Sequence, residues 1–100
     1  MLPFDLDYSE EKNELLKKTR GVCFDDIKEA LENDKFITVI KHPNKKKYAN
    51  QFIFVIPVKD YVCLVPFVER ENEIFLKTII PSRKATKQYL KGDDESERDD

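Results

Sequence analysis

Alternating and helical spacings of apolar residues divide the first third of the chain. Residues 4–8 alternate apolar and polar side chains, the period of a half-buried strand, and Ser9 then provides a good helix N-cap. Residues 10–18 have acids early and lysines late, as the helix dipole favours, so we predict a helix that ends at Gly21. The apolar side chains that this helix offers for docking are Leu15 and Leu16.

A second short helix is predicted over residues 24–31, where apolar positions recur with helical spacing. Because only a few residues around Gly21 separate the two helices, we expect them to form a hairpin. The face expected to be buried consists of Phe24, Ile27, Ala30 and Leu31.

From residue 36 onward the pattern becomes that of strands. Residues 36–41 are rich in β-branched side chains and end at a turn signal over 42–44. Residues 51–58 and 61–68 are two near-continuous apolar runs, typical of central strands that are covered on both faces. The Lys59–Asp60 pair between them predicts a tight antiparallel hairpin.

The last part of the chain predicts one more strand and a final helix. Pro57 and Pro66 lack a ladder donor, so bulges or outward-facing positions are expected there. Residues 74–80 read as the fourth strand of an antiparallel sheet, and Ser82 then caps a helix that packs Ala85 and Tyr89 on it. The predicted class is α+β, an N-terminal strand and helical hairpin on a four-stranded antiparallel sheet with a C-terminal helix.

Composition indicates one domain with a separate tail. The chain has 100 residues, 40% apolar and 38% charged, which fits a single core over residues 1–92. The longest apolar run, residues 52–58, is far shorter than the roughly 20 residues that cross a bilayer. Residues 1–14 have no signal-peptide pattern, so we expect a cytoplasmic protein without membrane contact. Residues 93–100, six acids and one Arg without an apolar side chain, predict a disordered acidic tail.

The few cysteines, histidines and glycines exclude several kinds of site. Cys23 and Cys63 are too few for a disulfide framework, so we expect free, buried thiols in a reducing compartment. A single histidine and the lack of a CxxC motif argue against the usual zinc sites. With only two glycines, a glycine-rich phosphate loop is excluded, and we expect neither a metal nor another cofactor.

A cationic segment near the end of the chain is the strongest functional signal. The formal charge is −2, but outside the acidic tail 17 Lys and Arg face 14 Asp and Glu, a net charge of +3. Such a body attracts phosphate backbones. Five bases follow one another without an acid, and the alternative to an RNA-binding role is an ordinary solvated helix face. These bases are Lys77, Arg83, Lys84, Lys87 and Lys91.

Two smaller clusters add candidate groups. In the loop after the first long strand, Lys46 and its lysine neighbours with Tyr48 could hold a phosphate backbone and stack a base. His42 in the same loop is the side chain suited to proton exchange near neutral pH. Glu69 and Arg70 offer a base beside a phosphate clamp, provided that the strand ends or bulges there. A soluble loop and a charged turn are the alternatives.

Metal-free RNA cleavage needs a base for the 2′-OH, cations for the phosphorane and an acid for the leaving oxygen. His42 or Glu69 could transfer protons, and Arg70, Lys77 and Arg83 could supply the cations. Many charged surfaces would satisfy such a list, so the assignment depends on geometry.

Four segments together resemble the BrnT-type toxins of bacterial toxin–antitoxin operons. They are residues 11–14 (E-K-N-E), 20–26 (R-G-V-C-F-D-D), 68–70 (V-E-R) and 79–86 (I-I-P-S-R-K-A-T). The resemblance covers residues 4–91 in order. It implies a RelE/ParE-like fold, ribonuclease activity that halts translation, and neutralisation by a cognate antitoxin. That antitoxin would carry a ribbon-helix-helix domain, and only through it would the complex reach operator DNA.

The resemblance also indicates which arginines matter. The positions that match the family's functional arginines are Arg70 and Arg83, which we expect to bind the scissile phosphate. The chain departs from the family at Arg20, where a histidine is usual, at Cys23, a usual capping serine, and in the Pro-Ser step before Arg83.

Two other functions remain open. A ParE-like toxin would bind a protein target such as gyrase without chemistry, and a non-toxic interaction module would use the basic segment to hold an acidic peptide. A neutralising partner predicts an exposed apolar or basic groove on the free chain.

Overall fold

The structure is a computed structural model that describes residues 4–41, 44, 46–47 and 51–90. In chain order its elements are β1 (Asp5–Asp7), α1 (Glu10–Arg20), α2 (Phe24–Glu32), β2 (Thr38–Lys41), β3 (Gln51–Val58), β4 (Tyr61–Arg70), β5 (Glu73–Leu76), β6 (Ile80–Pro81) and α3 (Arg83–Tyr89).

The strands form one mixed sheet. Its order is β1-β5-β4-β3-β2, and β6 pairs with β4 beyond the end of β5. β1 runs parallel to β5, and every other pair is antiparallel. The α+β class is thereby confirmed. The expectation of a four-stranded antiparallel sheet is wrong, because the sheet has six strands: the N-terminal strand joins it, and the strand predicted over 74–80 is divided.

That division lies opposite Pro66 of β4. β5 pairs with β4 up to Phe67 and β6 resumes pairing at Leu64, so residues 77–79 face only two residues of β4. The Pro66 carbonyl accepts a hydrogen bond from the Lys77 amide at 2.8 Å, but proline has no N–H to return. One ladder bond is therefore missing, and the neighbouring strand forms the bulge that was expected at a proline.

The helical hairpin forms as predicted. Gly21 ends α1 in the left-handed region with φ 68°, which favours glycine. The buried Asn13 of α1 accepts a hydrogen bond from the Phe24 amide at 2.7 Å and thereby satisfies a free N–H at the start of α2. Leu16 is buried as expected, but Leu15 is 53% exposed and takes no part in the docking of α1.

The hairpin covers one face of the sheet and buries the main core there. All four side chains predicted for the inner face of α2 are buried. They meet the alternate side chains of β3 and β4 that project to this face. The main core consists of Leu16, Val22, Phe24, Ile27, Ala30, Leu31, Phe54, Ile56, Cys63, Val65, Phe67, Ile74, Leu76 and Ile79.

The opposite face is covered only in part, although the apolar strands predicted cover on both sides. α3 packs Ala85 on Val55 and Val62, and Tyr89, which was expected to lie against the sheet, is 36% exposed. The neighbouring row of side chains across β2, β3 and β4 has no fully buried member, so this part of the sheet is an apolar surface that is only partly covered. That row is Ile40, Ile53 and Pro66.

Candidate nucleic-acid interface

The start of α3 carries cations where a helix favours anions. Arg83 and Lys84 occupy its first turn, which has no acid, whereas α1 and α2 each begin with two acids. Such a reversal costs roughly 0.3–1 kcal/mol per charge at an exposed site. Lys87 follows three and four residues later, so the three side chains share one exposed surface. We call Arg83, Lys84 and Lys87 the cationic triad.

No acid neutralises the cationic triad within the part of the chain that the structure describes. The one ion pair within 4.0 Å in those residues joins Lys17 to Glu14 of α1. Most exposed charges in those residues likewise lack an ion pair, and what distinguishes the triad is that α3 contains no acid at all.

Hydrogen bonds fasten α3 to the edge of β4. The Ser82 side chain caps the helix by accepting from the Ala85 amide at 3.0 Å. The Ser82 amide donates to the Val62 carbonyl at 2.9 Å, and the Val62 amide donates to the Thr86 hydroxyl at 2.8 Å. Thr86 also donates to the Ser82 carbonyl at 2.7 Å and is 5% exposed. Thr86 thus continues the strand pairing through a helix side chain.

The bulge between β5 and β6 adds basic groups at the same edge of the sheet. Lys77 is exposed there, and its amide is held by Pro66. The Arg20 guanidinium at the end of α1 donates to the Ile79 carbonyl at 2.5 Å. Arg20, a position at which the sequence departs from the family it resembles, therefore holds the bulge to α1.

Glu69 and Arg70 do not form one site. β4 continues regularly through both residues, which pair with Ile74 and Glu73 of β5. Successive side chains of a strand project to opposite faces. β4 ends only after Arg70 and has no bulge at either residue, so Glu69 lies on the face of the helical hairpin and Arg70 on the face of α3.

Arg70 lies in acidic surroundings, far from the cationic triad. Asp5, Glu71 and Glu73 line the shallow depression beside it, and they disfavour a phosphate there. Ser82, the residue before Arg83, is hydrogen-bonded to Val62 of β4. Val62 lies eight positions from Arg70 along β4, about 26 Å at the usual rise per residue. Arg70 and Arg83 therefore cannot hold the same phosphate, contrary to the expectation from the sequence.

The three candidate residues between β2 and β3 are His42, Lys46 and Tyr48. His42 and Tyr48 lie outside the described residues. Lys46 is exposed in a turn between β2 and β3. β2 and β1 are the two edges of the sheet, so this turn belongs to the edge far from β1.

The two thiols differ in environment. Cys63 is buried in the core, and burial raises the pKa of its thiol to about 11. Cys23 is only half-buried, contrary to expectation, and its sulfur lies 3.5 Å from an Asp26 carboxylate oxygen. Both are free.

Within the described ranges, no group of three His, Cys, Asp or Glu side chains is placed to hold a metal ion. In the same ranges, no helix has the length and apolar character needed to cross a membrane.

Most residues in the four resembling segments stabilise the fold. Asn13 caps α2, Gly21 ends α1, Arg20 holds the bulge and Thr86 fastens α3. The exposed charged residues of these segments include Arg83 and Lys84 of the cationic triad. Comparisons of the chain with protein-family models, curated proteins and solved structures return no match.

Proposed function

We propose that this chain is the toxin of a type II toxin–antitoxin pair, with a RelE/ParE-like fold, and that it cleaves RNA without a metal. The observation that carries the proposal is the cationic triad, because three bases without an acid are held on a helix that hydrogen bonds fasten to the sheet. Sequence-independent RNA binding depends mainly on such contacts with the phosphate backbone.

In this proposal the cationic triad and Lys77 bind successive phosphates along the edge formed by the bulge and α3. Arg83 supplies the fork of donors that suits phosphate oxygens and stabilises the phosphorane. His42 was the sequence candidate for proton transfer, but Lys41 before it pairs with Phe52, and Phe52 pairs with Phe67, five positions or about 16 Å along β4 from Val62. We therefore assign His42 no role beside Arg83. Glu69 and Arg70 are left out, because they project to opposite faces and Arg70 stands among acids.

The proposed partner is a cognate antitoxin with a ribbon-helix-helix domain, through which the complex would bind operator DNA. The partly covered apolar row of Ile40, Ile53 and Pro66 suits the apolar side of an amphipathic segment, and the cationic triad suits acidic residues in the same partner.

The test is cleavage and binding of a single-stranded RNA by the purified chain in the presence of EDTA. Arg83→Gln should weaken RNA binding by about tenfold and lower the salt dependence of log K by about one unit, because one phosphate contact is lost. The matched control is Lys28→Gln, which removes one exposed charge from α2 and should leave binding unchanged.

Three outcomes separate the candidate functions. Growth arrest with intact RNA would refute the nuclease and favour a ParE-like toxin that binds a protein target. Overexpression without growth arrest would leave an interaction module. Equal RNA binding by Arg83→Gln and Lys28→Gln would remove the cationic triad from the proposal.

A further inference from the structure

β2 is an edge strand whose apolar side chains are exposed. β2 ends the strand order, and within the described ranges no strand pairs with its outer side. An edge that combines free backbone groups with apolar side chains is a template for pairing with another chain. The exposed apolar side chains in and just before β2 are Phe36 at 40%, Ile37 at 38%, Val39 at 40% and Ile40 at 40%.

The register shows which backbone groups of β2 are free. The Pro66 carbonyl is bonded toward β5, so Ile53, which pairs with Pro66, turns its own backbone groups away from β4 and toward β2. Ile53 pairs with Ile40, whose backbone groups are therefore used inside the sheet. Because pairing alternates along a strand, the neighbouring Val39 and Lys41 direct their N–H and C=O groups outward.

We propose that β2 pairs antiparallel with β2 of a second copy of this chain and joins the two sheets across a two-fold axis at Ile40. Val39 then bonds to Lys41 of the second copy, and the same bonds recur on the other side of the axis. The two Ile40 side chains meet as a close, non-hydrogen-bonded pair. This proposal does not depend on the proposed RNA cleavage.

Charge selects a second copy in this orientation. Residues 28–35 before β2 carry the exposed acids Glu29, Glu32 and Asp34 against two lysines, a net charge of −1, whereas residues 41–47 contain four lysines and no acid. An antiparallel two-fold brings the acidic segment of each copy beside the basic segment of the other. Parallel pairing would instead place like charges together.

The contact is small, so the dimer is weak. The Ile37 amide is already bonded to the Val55 carbonyl at 2.7 Å, which limits the new pairing to the later part of β2. We expect so short a pairing to bury less than the roughly 1,200 Å² of stable interfaces, and therefore expect a weak dimer with a dissociation constant in about the micromolar range.

Sedimentation velocity between about 5 and about 500 μM tests the dimer, since this range brackets a micromolar constant. The wild-type chain should move from monomer to dimer, and Ile40→Lys should weaken dimerisation by at least about tenfold. Ile80→Lys is the matched control, because Ile80 is 41% exposed on β6, and it should dimerise as the wild type does. A monomer at every concentration, equal dimerisation by Ile40→Lys, or association that continues beyond the dimer would overturn the proposal.

A cross-link provides a second measurement that does not depend on folding of a charged variant. In a Cys23→Ser background, Ile40→Cys should form a disulfide-linked dimer on mild oxidation, since close pairs have suitable Cβ separations. Ile80→Cys in the same background should stay monomeric. Cross-linking at equal rates would show random collision and refute the two-fold at Ile40.

Discussion

The hydroxyl of Thr86 provides a sharp test of how α3 is held. In Thr86→Val the shape of the side chain is kept, but the Val62 amide loses its acceptor at 2.8 Å in a buried position. The Ser82 carbonyl keeps the Thr86 amide as a donor at 2.9 Å, so one buried group is left unsatisfied. A buried unsatisfied donor costs about 1–3 kcal/mol, and we expect the free energy of unfolding to fall by about 2 kcal/mol.

Urea denaturation followed by circular dichroism measures this loss, and the melting temperature should fall by about 10 °C for a domain of this size. Thr19→Val is the matched control, because the Thr19 hydroxyl also bonds a carbonyl four residues earlier, at 2.8 Å, but is exposed and holds no strand amide. The control should change stability by less than about 0.5 kcal/mol. If Thr86→Val is as stable as Thr19→Val, α3 is not fastened through this hydroxyl.

Three other predictions concern the bulge, the core thiol and the tail. Arg20→Met should destabilise the chain by about 1.5–3 kcal/mol, because the Ile79 carbonyl loses a charged donor, and Lys18→Met in the same turn should have little effect in the same denaturation assay. The raised pKa of Cys63, about 11 against 9.0, means that the folded state holds the thiol proton more tightly. Stability from this group is full below pH 9 and falls as the pH rises through about 11, and the difference from Cys63→Ala across that range should show the slope. Deleting residues 93–100 should tighten RNA binding most at low salt if the six acids compete with phosphate, and unchanged affinity would exclude that competition.

The sequence by itself determined the local elements. Caps, helical periodicity and β-branched runs act between residues close in the chain, and they placed α1, α2 and β3 correctly, with Gly21 as the end of α1. The tight turn at Lys59–Asp60 and the cap at Ser82 were equally local. The three bases of the cationic triad were among the five basic residues singled out from the sequence, because a run of bases without an acid is visible in the sequence itself.

Only the tertiary structure decided how distant residues meet. The strand predicted over residues 74–80 contains no proline but is divided into β5 and β6. The missing N–H belongs to Pro66 of the neighbouring strand β4. The partners of Arg20 and Thr86, 59 and 24 positions away, carry no signal in local spacing. The register of β4 with β5 separated Glu69 from Arg70, and the length of β4 separated Arg70 from Arg83. Hydrogen-bond satisfaction across the sheet, rather than any local pattern, thus reduced the candidate site to one end of the molecule.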